Sequence, residues 1–486
     1  MAKVVLVQPK VGDWDDLRSH PSLPLALLST VRYVAKEFDT VLIDTRVDKN
    51  WKKRLKNELK ENPICVGITS MTGRQIKNAL EISSFVKKIS KVPVVWGGIH
   101  SSLLPDSTLE DENIDIVVIG EGEVSFLELV KGLADKTGLR GIPGIWFKEG
   151  GRIIRNPKRK FAHLDDLPDL PLFLIDLKKY LPIFKGRRTF HIETSRGCPN
   201  QCRFCYNSAY NNNSWRAFSA EKSVSELGYL SRNFNIGSFY VIDDNFFVDL
   251  KRARDIAQGI VDEKLEIFWE VQGININSAL KMDEGYLNLL VKAGMKKVHF
   301  GVETASEKIL KHVNKNLKIS DVIKINRIWS KYNIVLQYNF MCGFPGETME
   351  DIRKTKDLIF QLIKENPRAL ISPVCPYTPY PGTDLYQMAL DSGFIHKRKL
   401  QDWQYADYGD NLWHSKERKK MISSLFFASM FLDKHRSKDM FQSKIIKILI
   451  ELYRPLAKFR VKHLFFRFMP EIKVKNLLLR LGENAA

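Results

Sequence analysis

The strongest constraint on this chain is an alternation of short β-rich runs with helical patterns that passes through it twice. The runs 4–7, 41–43, 65–68, 92–96 and 114–119 are rich in Val and Ile and read as strands, and 23–36, 51–62, 74–90 and 124–134 read as helices between them. Strands joined through helices need crossover connections, which build a parallel sheet buried on both faces. The alternation resumes with strands at 190–193, 238–242, 267–272, 297–302, 335–341 and 369–373. Six such units suit a partial or full parallel barrel, whose ligands sit at the carboxyl ends of the strands. Between the two series, 141–184 reads as a linker holding a hairpin around Gly150-Gly151, with a proline-punctuated acidic stretch at 164–171. The expectation is an α/β chain divided into 1–140, a linker 141–184, a barrel core 185–400 and a C-terminal region 401–486.

Glycine-bearing turns stand at the strand ends of the first series: Gly67-Ile-Thr69-Ser70, Gly97-Gly98-Ile-His100 and Gly120-Glu121-Gly122. Each alone is ordinary turn chemistry; three at one edge point to a ligand that approaches the backbone closely. From the residues alone, this part is a flavodoxin-like domain of unspecified ligand.

Charge sets the third region apart. The chain carries 76 Lys and Arg against 56 Asp and Glu, a net of +20, and residues 415–481 hold 17 against 5, a net of +12. Ile445, Ile448, Leu449, Leu452 and Leu456 repeat at helical spacing, Lys447, Glu451, Arg454 and Lys458 fall opposite them, and Pro455 is expected to end or kink that helix. The basic tail fits a solvated helical cap on the barrel, a membrane-surface anchor or a nucleic-acid contact. An apolar content of 44% argues against wholesale disorder. No stretch reaches the ~18 apolar residues of a membrane span. No leader is expected either, because the first apolar run is only four residues long. A cytoplasmic location is expected, with peripheral attachment at the inner membrane face left open.

Six cysteines are too few for a disulfide scaffold, and three of them fall within eight residues: Cys198-Pro-Asn-Gln-Cys202-Arg-Phe204-Cys205. Three thiolates on one loop can hold three irons of a [4Fe–4S] cubane and leave the fourth iron open. A zinc loop would show paired C-x2-C units and further partners, which are missing here. Cys65, Cys342 and Cys375 read as small buried apolar residues.

The C-x3-C-x2-C spacing with an aromatic before its last cysteine resembles the radical S-adenosylmethionine (SAM) enzymes. Asp243-Asp244-Asn-Phe, Gly301-Val-Glu303-Thr-Ala-Ser, Gly343-Phe-Pro-Gly-Glu-Thr and Pro379-Tyr-Pro-Gly-Thr-Asp look like the cobalamin-binding branch of that superfamily. Leu23-Pro-Leu25, Gly97-Gly98-Ile-His100 and Gly120-Glu121-Gly-Glu123 look like that branch's cobalamin domain. The resemblance covers roughly 1–395. It implies a Rossmann-like cobalamin domain, a partial (β/α)6 barrel, and three cofactors: a [4Fe–4S] cluster on Cys198, Cys202 and Cys205, SAM, and cobalamin. Phe204 would then pack near adenine, Asp243 or Asp244 would meet the SAM ammonium, and Glu303, with Gln272 as a weaker candidate, would hold the ribose hydroxyls. Thr69, Ser70, Gly97, Gly98, Gly120 and Glu121 would contact cobalamin. The D-x-H-x-x-G motif of histidine-ligated cobalamin is missing, so the lower face is expected to lack a protein ligand, with His100 and His20 as the alternatives. The implied reaction is methylation, through methylcobalamin, of an unactivated carbon on a hydrophobic small molecule or lipid. An external electron donor of flavodoxin or ferredoxin type would feed the cluster. Radical cyclisation or rearrangement on a tetrapyrrole or lipid, and a non-catalytic basic nucleic-acid or membrane adaptor, remain alternatives; nucleic acid is not the expected partner, and a tRNA-modifying methylthiotransferase is disfavoured because Cys65 alone stands where those enzymes carry a second cysteine trio.

Overall fold

A computed structural model describes residues 2–12, 15, 20–406, 414–433 and 444–472. The remainder of the C-terminal region and the side chain of Ile445 lie outside the described residues.

The first sheet comprises β1 (Lys3–Gln8), β2 (Asp39–Asp44), β3 (Val66–Thr69), β4 (Val94–Gly97), β5 (Ile116–Val118), β6 (Ile145–Glu149) and β7 (Arg152–Arg155), in the order β2-β1-β3-β4-β5-β6-β7. Strands β1–β5 run parallel. Val4, Val5, Leu6 and Val7 are all essentially inaccessible, as expected of a strand covered on both faces. The hairpin β6–β7 is not spacer. It pairs antiparallel with β5 and extends this sheet, so the first layer ends at Arg155, well past 140. Strand order reverses at β1, which places the ligand crevice beyond the carboxyl ends of β1 and β3.

The segment 23–36, expected as one helix, forms two, Leu25–Thr30 and Val34–Glu37. Thr30 Oγ1 donates back to the Ala26 carbonyl at 2.8 Å, a local bond that competes with helix propagation. The break leaves Ser29 facing Arg196 of the barrel and Arg32 donating to the Pro168 carbonyl of the connecting segment.

The second sheet holds β8 (Ile183–Phe184), β9 (Arg187–Ile192), β12 (Ser238–Val241), β13 (Phe268–Ile274), β14 (Met295–Glu303), β15 (Val335–Cys342) and β16 (Leu370–Pro376), with β10 (Ser195–Gly197) and β11 (Trp215–Ala217) forming a separate ribbon. Its order is β16-β15-β14-β13-β12-β9-β8, parallel from β9 to β16. The sheet curls into a half-barrel and does not close, since β8 and β16 remain edges. Phe190, Phe239, Trp269, Val298 and Leu336 are buried on the face that carries the helices. The register sets the polar Tyr240 beside His191 and Glu270, and Glu270 beside Lys297, on the concave face.

The C-terminal region completes the barrel. Helix Lys416–Ser429 lies along edge strand β16, where the Val374 N–H donates to Ser429 Oγ at 2.8 Å. A covered edge is protected from unwanted strand pairing. The following helix, Lys444–His463, continues past Pro455, so the proline does not end it. Pro455 sits on the exposed side, where water can take the Glu451 carbonyl that loses its partner. Arg454 departs from expectation: it is buried and pairs with Glu451.

Candidate active site

The cysteine loop hangs between β10 and helix Tyr206–Asn211. Gly197, just before Cys198, has φ +86°, and a Cβ there would stand 2.1 Å from the Ser214 carbonyl oxygen, so only glycine fits. The loop is tied down along its length. Arg203 N–H donates to Val313 O at 3.0 Å, Asn314 Nδ2 to Gln201 O at 2.8 Å, and Leu385 N–H to Arg203 O at 3.0 Å. Cys202 is buried, and Cys198 and Cys205 are half-buried. Burial raises the Cys202 thiol and pushes Cys205 up to about 12, so loading a metal onto them must expel protons. Among the described residues, no three His, Cys, Asp or Glu side chains converge on a single-ion point. A cubane makes no such demand, because each thiolate binds a different iron.

The two aspartates brace this loop. Asp243 is buried and accepts the Thr194 N–H and Thr194 hydroxyl at 2.7 Å each and the Ser195 hydroxyl at 2.5 Å. Burial pushes its carboxyl up to about 6. Its oxygens are committed to Thr194 and Ser195 at the entry to strand β10, so its place is structural rather than at a ligand. Asp244 accepts the Gly197 N–H at 3.1 Å on one side of the trio and the Tyr206 hydroxyl at 2.8 Å on the other, and it also faces the central cavity. Asn245, overlooked in the sequence, points Nδ2 at Cys198 Sγ, 3.7 Å away.

Glu303 ends β14 with φ +67°, a left-handed conformation that is uncommon for a residue with a side chain. Its carboxylate folds back over Gly301, where an added Cβ would stand 2.5 Å from Glu303 Oε1. Lys315 Nζ lies 3.3 Å from the same oxygen. Burial acts to lower Lys315, but Glu303 and the neighbouring Cys202 outweigh it and hold the ammonium above its ordinary value. Lys315 had no sequence signal; it arrives because the cysteine loop is pinned to 313–314. Phe204 packs on Phe344 with ring centroids 6.1 Å apart, and Phe344 stacks on Tyr377. Gln272 is exposed.

Across from this loop stand the turns of the first sheet. Gly98 has φ +98°, with the Ser70 carbonyl 2.5 Å from where a Cβ would be, and Ser70 N–H donates to Gly97 O at 2.8 Å. Thr69, Gly97, Gly98, Gly120 and Glu121 line a cavity of about 350 Å³ together with Arg196, Tyr206, Tyr210 and Asp244 from the barrel. His100 does not line it. That ring is fully buried, edge-on to Trp403 and hydrogen-bonded through Nδ1 to Thr72, and burial pushes it down to about 3. His20 lies half-buried before the first helix.

A buried ion network closes the wall of the cavity and joins the domains. Arg196 reaches Glu193 at 2.8 Å, Glu121 at 3.2 Å and Glu123 at 2.8 Å, and also donates to Ser29 Oγ at 2.9 Å. Arg216 makes a second link to Glu121. Burial alone would raise Glu123, but the Arg196 charge and the bonds from Ser29 and Arg196 hold it below its ordinary value. Glu121, expected at a ligand, gives both oxygens to these arginines.

A half-barrel whose cysteine trio faces a Rossmann-like sheet across one cavity defines a radical SAM enzyme carrying a cobalamin domain. The comparisons agree. Residues 192–359 match the radical SAM superfamily and residues 19–130 the B12 binding domain. The uncharacterized methyltransferase PH0819 of Pyrococcus horikoshii is 31% identical over 432 residues, covering 87% of this chain and 90% of its own. The chain therefore belongs to the B12-binding radical SAM family. An anaerobic magnesium-protoporphyrin IX monomethyl ester cyclase of Synechocystis is 26% identical, covering 66% of this chain and 62% of its own. In fold, the chain resembles the cobalamin-dependent radical enzyme OxsB, with a TM-score of 0.75 at 19% identity, spanning 99% of this chain and 75% of that one. It also resembles the methyltransferase TsrM of Kitasatospora setae, with a TM-score of 0.71 at 17% identity, spanning 96% and 99%. Family membership brings the cofactors a [4Fe–4S] cluster, SAM and cobalamin.

Proposed function

We propose that this enzyme methylates an unactivated carbon of a hydrophobic small molecule or lipid. The observation that carries the reading is the single cavity shared by the glycine turns of the cobalamin domain and by Asp244 and Tyr206 of the cysteine loop. A methyl carrier and a radical source must both reach one substrate carbon, and a shared cavity gives them that proximity. When bound, the cluster with SAM supplies a carbon-centred radical, and cobalamin supplies a methyl carrier.

The chain's own residues do the holding. Cys198, Cys202 and Cys205 would carry the cluster. The Asp244 carboxylate facing the cavity would take the SAM ammonium, while Glu303 and Lys315 offer one acceptor and one donor to its remaining polar groups. Gly97, Gly98 and Gly120 let cobalamin approach backbone, and no described histidine lines the cavity to ligate cobalt. The Arg196 network holds the two faces together and closes one side to water. Apolar walls from Leu25, Ile68, Val95, Val118 and Ile192 support a hydrophobic acceptor. An external flavodoxin- or ferredoxin-type donor would deliver the electron.

The test is anaerobic incubation of the reconstituted enzyme with methyl-labelled SAM and membrane or lipid extracts. Label in a product heavier by one methyl supports the reading. 5′-Deoxyadenosine formed with a product that has only lost hydrogens would transfer the chain to the cyclase reading instead.

A further inference from the structure

The helix Lys444–His463 is built inside out. Its inward side carries Ile450, Ala457 and Val461, but also two arginines, Arg454 and Arg460, each only 4% exposed. Arg454 is paired with Glu451, and Arg460 Nε lies 2.8 Å from Glu471 Oε1. The outward side is apolar: Ile448 is 60% exposed, Leu449 58%, Leu452 72%, Leu456 44% and Phe459 50%. At 100° per residue, these five side chains fall on one face. Phe468 extends it at 71% exposure, beyond the end of the helix. A helix that only capped the barrel would turn this face inward.

One flank of the face is basic. Lys462 borders the face beside Glu451, whose charge is taken by Arg454; Lys447 and Lys458 stand half-buried farther round on that same flank, and exposed Arg467 follows the helix end. This pattern selects among occupants. Two copies paired about a two-fold axis would bring the basic flanks together, which is unfavourable. Nucleic acid would want charge at the centre, where the leucines and Phe459 are. An anionic bilayer takes both parts at once: apolar side chains enter the acyl boundary, and lysines at the margin meet lipid phosphates. No helix among the described residues is long and apolar enough to cross a membrane, so the contact lies in the plane of the interface.

We propose that this helix face docks the enzyme on an anionic lipid surface. The inference stands on the helix alone and is independent of the methyl-transfer reading.

The test is flotation of the full-length holoenzyme with phosphatidylcholine vesicles, with and without phosphatidylglycerol, at low and high salt. The wild type should float with the anionic vesicles and lose most of that binding in high salt or on neutral vesicles. Leu452→Glu/Phe459→Glu should weaken binding by about tenfold or more, and Lys458→Glu/Lys462→Glu should weaken it on anionic vesicles only. All four side chains are outside the core, so circular dichroism, thermal unfolding and SAM cleavage should match the wild type. Equal flotation of wild type and variants would overturn the proposal. So would wild type that ignores anionic vesicles, or a wild-type dimer in sedimentation that the apolar-face variant dissolves.

Discussion

Replacing Arg196 by glutamine tests the interdomain network most sharply. The guanidinium is 11% exposed and serves Glu121, Glu123 and Glu193, whose side chains are 12%, 5% and 32% exposed. Glu193 can turn to water, and Glu121 keeps Arg216. Glu123 keeps the Ser29 hydroxyl, at 2.8 Å, and a backbone N–H bond, neither of which carries a charge. Removing one partner of a buried ion pair costs about 3–5 kcal/mol, because the other charge is stranded. Arg196→Gln should therefore lose about 3 kcal/mol near neutral pH. Without Arg196, burial dominates Glu123 and lifts its folded-state pKa above the unfolded value. The penalty then grows as pH rises through that window and shrinks under acid, where Glu123 is protonated. In the wild type the sign is opposite: Glu123 is held low, and its contribution is lost only as pH falls. Urea denaturation followed by tryptophan fluorescence, near neutral and acidic pH, reads both effects. Arg196→Gln/Glu123→Gln should recover most of the loss, since both charges leave together. A single variant within about 1 kcal/mol of wild type, or a double variant no better than the single, would show that Arg196 does not neutralise a buried Glu123.

Other outcomes follow from the loop and its supports. Gly197→Ala should leave the chain folded but unable to hold iron, since the methyl displaces the Ser214 carbonyl beside Cys198; normal iron content would contradict this. Asn245→Leu removes a donor to Cys198 sulfur and should move the cluster potential to more negative values in an EPR-monitored titration, because hydrogen bonds to cluster sulfur tune that potential. Burial raises Glu347 from 4.5 to about 7, so its contribution is full below pH 4.5 and is lost as pH rises through 7. Glu347→Gln should flatten the stability profile across that window, and an unchanged slope in thermal unfolding would count against the assignment.

Much of the architecture could be read from the chain because strands buried on both faces show as unbroken Val and Ile runs, and because three cysteines in one loop are adjacent in sequence. What could not be read depends on distance or direction. Arg196 meets Ser29 across 167 positions and Arg216 meets Glu121 across 95, and in sequence each looks like a solvated charge. Lys315 is placed by the backbone bonds of its neighbours to the cysteine loop rather than by any motif of its own. Periodicity found the helix around Leu452 but could not say which face turns inward, and Arg454 reversed the natural guess. The glycine turn before His100 drew attention to that residue, but Trp403, 303 positions later, takes its ring into the core.

The most direct measurement is anaerobic reconstitution followed by an iron count and a SAM cleavage assay under a strong reductant. The reconstituted enzyme should hold about four irons per chain and release 5′-deoxyadenosine and methionine, and Cys202→Ala should lose both. A chain that takes up no iron, or a Cys202→Ala variant that still cleaves SAM, would contradict this.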